Sequence, residues 1–499
     1  MFGLHILDVV MLTLYLIGIM IAGFWAARKV TGVGSYFMGS RAFGKFFMIM
    51  HAFGTGTHTD QAVSVAGASY KIGFAGIWYQ YLNLFITPFY WIVAPLLRRM
   101  RYITTADFFE KRFDRSLSIF YAVFGLFYFA MQIGLMLLGT GKTASAITGG
   151  AVSSEVAIGA MTILFLSYGL AGGLPAAIIT DFIQGIFIIV LSFMLVPFVL
   201  AEAGGFSGMH EKIPAEMFSL LAPAEPPAGY DRITIYYIFV IVVNGLVGTI
   251  AGPHHMSIGG AGKTEWDVRV GFTYGNMIKR FCTIAWTLVG LACIAIYPSL
   301  DDPEHAWGLA TRELLPIGFI GIMLASMIAA VMSSCDSFMV DGAALFVENI
   351  YKPYFKPDAR EKNQLMVGRI VGVIVVGCGI YVSTMSDSVV SILRVSWSLT
   401  AFFGIAIWGG VIWRRCNAWG AWAAILVSIG LFSLARSWDW ELQDQFVLYL
   451  TGGFLAMIIV SLLTPKQDKS QLDIFYTTLH TPVGQEHKLR EAGIKVVLE

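Results

Sequence analysis

Long apolar runs, separated by short polar stretches, occupy most of the chain. A helix needs about 20 apolar residues to cross a bilayer, and that rule predicts about thirteen spans. Their limits fall near 7–27, 46–70, 74–97, 117–147, 153–173, 176–201, 233–252, 272–298, 314–349, 366–386, 389–413, 418–436 and 444–464. The 314–349 segment is longer than a bilayer is thick, so it must tilt or protrude. The first run lacks a basic flank and is long enough to span, so it reads as a helix and not as a cleaved signal. The expectation is an all-α polytopic membrane protein, with a transmembrane domain over 1–465 and a short tail over 466–499.

The polar residues inside these runs carry the chemistry. In the 314–349 span, Ala330, Ser333, Ser334, Ser337 and Asp341 fall at i, i+3, i+4, i+7 and i+11, one face of a helix. Asp336 lies beside that stripe. An unpaired polar group in hydrocarbon costs several kcal/mol, so the stripe needs buried partners. Small oxygen donors suit a small hard cation. Hydroxyls can instead bond back to their own helix, but two acidic residues at membrane depth point to function.

The 46–70 span contains Gly54-Thr55-Gly56-Thr57-His58-Thr59-Asp60-Gln61. Two glycines and three threonines favour local unwinding, and irregular backbone at that depth survives only against protein or a cavity. A kink for close packing accounts for the glycines but leaves His58, Asp60 and Gln61 unexplained. Further along come Trp78-Tyr79-Gln80-Tyr81, Gln132, Asp181 with Gln184 one turn on, Asn244, and Lys279-Arg280. Buried amides serve either a ligand or the join between helices. Asp181 is a cation ligand or the partner of a buried hydroxyl. Lys279 and Arg280 can snorkel to the interface.

Composition agrees with the pattern. The 499 residues are 57% hydrophobic and 13% charged, against about 25% charged in soluble domains. A net charge of +1 without a basic tract gives no reason to expect a nucleic-acid partner. Five cysteines, odd in number and without metal spacing, read as packing residues. Cations cluster at Arg28, Lys29, Arg41 and Lys45, in the 98–116 and 351–365 loops, at Arg414 and Arg415, and in the tail to Lys495. With alternating spans these share one side, which places the N-terminus outside and the tail in the cytoplasm of a bacterial-type inner membrane. The opposite side carries the acidic, proline-rich 202–231 loop with Pro223.

Two attractive motifs lead nowhere. Gly139-Thr140-Gly141-Lys142-Thr143 resembles the end of a phosphate-binding loop, but the leading glycine would fall at Met136 and no strand precedes it. His254 and His255 are adjacent, project differently on a helix and make a weak metal signal.

Three motifs resemble the sodium:solute symporter family: Ala329–Ser337, Gly172-Gly173-Leu174 followed by Thr180–Gln184, and Asp107–Phe113. The resemblance covers about 5–465. It implies two inverted five-helix repeats, as in the leucine transporter, with one helix before and two after. It implies a main sodium site from the carbonyls of Gly54, Thr57 and Ala330 and the hydroxyls of Ser333 and Ser334. Some members have a second sodium site, whose matching positions are Asp181, Ser333, Asp336 and Ser337. Likeness to the sodium/galactose and sialic acid transporters of the family implies solute contacts at Gln61, Gln80 and Gln132, and Asn244 and Lys279 resemble further contacts in the galactose transporter; the proline symporters are similar members. His58 and Pro253-His254-His255 depart from those members.

The resulting expectation is a sodium-coupled symporter that imports a small organic solute by alternating access, with sodium as the co-transported ion and no organic cofactor. Gln61, Gln80, Gln132 and Asn244, with aromatic walls at Trp78 and Tyr81, favour a sugar, polyol or similar solute. A monocarboxylate or amino acid held by Lys279 or His58 is the alternative, as is a proton-coupled carrier using Asp60 or His58. A sensor would need an output domain. No HExxH or G-x-S-x-G motif supports an enzyme.

Overall fold

A computed structural model describes residues 3–28, 30, 32–222, 225–385 and 388–494. Lys29, Pro223 and Lys495 lie outside the described residues. Among those residues the chain is helical, with one isolated bridge between Phe43 and Gly262. The principal helices are α1 (Ile6–Ala27), α2 (Lys45–Thr55), α3 (Thr59–Ile72), α4 (Tyr90–Met100), α5 (Arg115–Ile147), α6 (Ser154–Met194), α7 (Ile235–Gly248) and α8 (His255–Ala261). They continue with α9 (Glu265–Ile296), α10 (Phe319–Phe346), α11 (Glu361–Ser383), α12 (Val389–Ile412), α13 (Ala418–Ser437), α14 (Leu442–Leu463) and α15 (Lys469–His480).

Every predicted span lies on helical structure, but fewer are unbroken. Nine helical segments among the described residues are long and apolar enough to cross a membrane. A pair bent by 58°, Ile235–Ala251 with His255–Ala261, makes a tenth. The difference from thirteen has local causes. The 46–70 segment is broken between α2 and α3, and 74–97 is a chain of short helices around Pro88 leading into α4. The 153–173 and 176–201 segments meet inside α6 without a loop. Gly173 turns the chain there with φ 53° and ψ −151°, and a Cβ on it would stand 2.6 Å from the Tyr36 carbonyl oxygen. Only glycine accepts that backbone at that distance.

Burial separates the inner helices from the rim. In its most apolar stretch the segment containing α10 is 78% buried, while that of α1 is 22% buried. Thus α10 forms the centre, packed on α6, α5 and α1, and α1 turns most of its surface to lipid. The loops are tied by buried charge. Arg112 donates to the carbonyls of Gly410 (2.7 Å) and Cys416 (2.9 Å) and to Gln467 (2.9 Å). Lys142, from the false phosphate motif, bridges Asp302 (2.9 Å) and Glu304 (2.7 Å). Glu304 in turn accepts the Val389 amide at the start of α12 (2.8 Å). Tail helix α15 buries Leu472, Phe475, Tyr476 and Leu479.

Candidate ion and solute sites

The unwinding expected in the second span occurs where the glycines and threonines stand. Helix α2 stops at Thr55 with Gly56 as its cap, the backbone is extended at His58, and α3 resumes at Thr59. Gly54 lets α10 approach, since a Cβ there would lie 2.7 Å from Ser333 Oγ. Ser334 Oγ stands 3.1 Å from the Thr55 carbonyl, 3.3 Å from that of Gly54 and 3.5 Å from that of Ala330. One hydroxyl proton cannot satisfy three carbonyls at once, so this is an oxygen-rich cluster with spare lone pairs. Gly54, Ala330 and Ser334 are thus together. Thr57 is buried at the break, and its hydroxyl has no partner.

Ser333 Oγ, beside Gly54, donates to Asp181 Oδ1 at 2.5 Å. Asp181 Oδ2 meets His51 Nδ1 at 2.6 Å and accepts the Thr55 hydroxyl at 3.3 Å. His51 was not singled out from the sequence. The signal was present: a histidine one turn before Thr55 in an apolar span is itself a functional candidate. Asp336 Oδ1 accepts the Ser337 amide at 2.7 Å, while Asp336 Oδ2 and the Ser337 hydroxyl are buried without partners.

A cavity of about 190 Å³ opens beside the break, with Thr55 and Gly56 in its wall. His58, Gln61, Gln80, Gln132, Asn244 and Lys279 all line it. The Gly56 carbonyl is the junction: it accepts Gln61 Nε2 at 3.2 Å and also the Lys279 ammonium. The Oε1 atoms of Gln61 and Gln132 have no partner. His58 Nδ1 pairs with Asp60 Oδ1 at 2.6 Å. Asn244 is engaged at both ends, donating to the Trp397 carbonyl at 3.0 Å and accepting Tyr449.

Two expectations need correction. Trp78 and Tyr81 do not line the cavity. Trp78 Nε1 donates to the Leu220 carbonyl at 2.9 Å and its ring stacks on Phe85, so it secures the 215–221 segment. Lys279 and Arg280 do not snorkel. They are buried, and Arg280 donates to the Gln80 carbonyl at 2.7 Å. Arg280, Asn276, His254 and His255 join the cavity wall, which contains no aspartate or glutamate among the described residues. Among the described residues no group of three His, Cys, Asp or Glu could hold a metal ion.

A family model described as the sodium:solute symporter family matches residues 36–428. The osmoregulated proline transporter of Bacillus subtilis is 27% identical, over 94% of this chain and 97% of its own length. A sodium/glucose cotransporter of Vibrio parahaemolyticus is 23% identical, over 99% and 97%. A substrate-bound, outward-open Na+-coupled sialic acid symporter superimposes with a TM-score of 0.79 at 18% identity, over 93% of this chain and 99% of that one. That likeness identifies the fold as the leucine-transporter-like one of two inverted five-helix repeats. Here α2 to α6 form the first repeat and α7 to α12 the second, with α1 before them and α13 and α14 after.

Proposed function

The chain belongs to the sodium:solute symporter family, and from that premise we propose that sodium held at the α2–α3 break is coupled to a small organic solute in the adjoining cavity. The protein is an integral membrane, sodium-coupled symporter and not an enzyme. The observation that carries the proposal is the shared backbone. Ser334 faces the Gly54 and Thr55 carbonyls on one side of the break, while Gln61 and Lys279 hold the next carbonyl, Gly56, on the cavity side. Ordering the break for one ligand orders it for the other, so each raises the affinity of the other by the same factor.

In this reading Gly54, Thr57, Ala330, Ser333 and Ser334 hold the main sodium. The basic cluster loops lie in the cytoplasm, residues 1–465 form the transmembrane unit, and 466–499 form a cytoplasmic tail. Sodium entering down the membrane potential supplies about 2.3 kcal/mol per 100 mV. At about 1.4 kcal/mol per tenfold, one ion supports roughly fifty-fold accumulation before any sodium gradient is added.

The cavity charge favours a solute bearing a carboxylate. Among the described residues its wall includes Lys279 and Arg280 and no acidic residue, and the Lys279 ammonium has donors left after Gly56. The proline transporter among the relatives fits that class. A neutral sugar or polyol is the second reading, carried by the free amide oxygens of Gln61 and Gln132 and in keeping with the glucose cotransporter. Thermal-shift titrations of purified protein with L-proline, a simple monocarboxylate and D-glucose, each with sodium and with choline, separate the two. Sodium-dependent stabilisation by a carboxylate that disappears in Lys279→Gln supports the first. Stabilisation by glucose alone supports the second.

A further inference from the structure

The central helix α10 reaches both interrupted helices of the fold. At Ser334 it faces the α2–α3 break. Seven residues further, at Asp341, it reaches α8, the short helix beyond the 58° bend that follows α7. Positions i and i+7 share a helix face, and seven residues span about 10 Å. Ser257, in the first turn of α8, donates to Asp341 Oδ2 at 2.8 Å. Both residues are buried, and Asp341 Oδ1 has no hydrogen-bond partner among the described residues. Asp341 ends the polar stripe of α10, and neither the Ser334 cluster nor the solute cavity uses it.

The bond lies behind the cavity wall. His254, at the head of α8, and Phe338, three residues before Asp341, both line the cavity, and their ring centroids are 5.1 Å apart. Ser257 and Asp341 do not line it. The bend itself is held by α5, where the Tyr121 hydroxyl donates to the Ala251 carbonyl at 2.7 Å. The Ser257 bond is also easy to break. Ser257 Oγ stands 2.8 Å from the His254 carbonyl as well, and one hydroxyl proton serves one acceptor at a time. Turning to His254 keeps Ser257 satisfied, and water entering the gap would supply the partner that Asp341 Oδ1 lacks. Parting the two helices therefore strands no polar group. A join of that kind makes and breaks at small cost, as an element that moves on ligand binding requires.

We propose that Ser257 and Asp341 are positioning residues for coupling, which carry sodium occupancy from the first interrupted helix to the second. Sodium at Ser334 draws α10 against the α2–α3 break, Asp341 moves with α10, and the Ser257 bond brings α8 along. His254 and Phe338 then come together in the wall that receives the solute. Neither Ser257 nor Asp341 touches solute or ion. The route is separate from the shared Gly56 backbone, and it enlists the second repeat, to which α8 belongs. Both of its ends are discrete contacts and sodium biases the first of them, which is what coupling between two sites needs. This inference rests on the sodium coupling proposed above.

Hydrogen–deuterium exchange of the purified full chain, without solute, in sodium and again in choline, tests it. Sodium is expected to slow exchange in 54–61 and also in 252–262 of the wild type. In Ser257→Ala and in Asp341→Ala the slowing at 252–262 is expected to shrink roughly three- to tenfold, the worth of one hydrogen bond, while that at 54–61 stays. Ser257→Thr, which keeps the hydroxyl, is expected to retain both, a rescue that a packing defect would not give. The two alanine variants sit on different helices, so one carries the test should the other fail to fold. Slowing at 252–262 preserved in both alanine variants overturns the joint, as does a wild type in which sodium slows 54–61 alone. A wild type in which sodium slows neither segment overturns the sodium coupling on which the inference rests.

Discussion

Ser333 Oγ donates to Asp181 Oδ1 at 2.5 Å, joining the central helix α10 to the second half of α6. Ser334, the next residue, faces the carbonyls of the α2–α3 break. Two adjacent serines thus divide their work. Ser334→Ala is expected to raise the half-saturating sodium concentration for uptake by about tenfold or more, about 1.4 kcal/mol, with normal expression. Sodium titrations of uptake check it, and unchanged sodium dependence in both Ser333→Ala and Ser334→Ala removes the main site.

Asp181 holds three neighbours from two helices, so its replacement acts on structure as well as on ions. Asp181→Asn keeps the shape but loses the charge facing His51 and Ser333. The expected outcome is a lower melting temperature together with a weaker sodium response. A melting temperature that falls while sodium dependence stays intact would make Asp181 a structural tie alone.

Gln61 and Gln80 approach the cavity from different parts of the chain. Loss of a hydrogen bond costs about 0.5–1.5 kcal/mol, so Gln61→Ala and Gln80→Ala are expected to weaken solute binding roughly three- to tenfold. Sodium binding without solute is expected to stay near wild type in Gln80→Ala. Solute titrations and melting curves on the same variants decide; preserved affinity with lowered stability would make both amides simple helix joints.

Trp78 supplies the opposite case. Its indole binds the Leu220 carbonyl outside the cavity. Trp78→Phe is expected to cost stability by about 1 kcal/mol and to leave solute affinity near wild type. A large drop in affinity at unchanged melting temperature would place Trp78 in the solute path.

Much of this was legible in the sequence because the bilayer restricts what a chain can do. Apolar runs must be helices, and the Gly54–Thr57 stretch had to unwind against protein. Polar residues at depth had to meet, and His58, Gln61, Gln80, Gln132, Asn244 and Lys279 do line one cavity. What was not legible depends on distance across helices. Trp78 lies next to Gln80 in sequence, yet its ring turns to the 215–221 segment, which periodicity in a fragmented helix cannot foretell. His51 sits in an apolar run and gains meaning only when α6 brings Asp181 to 2.6 Å. Lys279 and Arg280 read as interfacial because nothing local shows that Gly56 and Gln80 will offer carbonyls to them. Unbroken helices are fewer than the expected spans because spans break or fuse at Gly56, Pro88 and Gly173.

The central claim is that sodium and solute share the backbone of the α2–α3 break, and one titration tests it most directly. Solute affinity of the purified protein is measured at fixed pH in sodium and again with choline in its place, for wild type and Ser334→Ala. The account predicts tight binding in sodium, much weaker binding in choline, and loss of most of that difference in Ser334→Ala. Equal wild-type affinity in sodium and choline would contradict it.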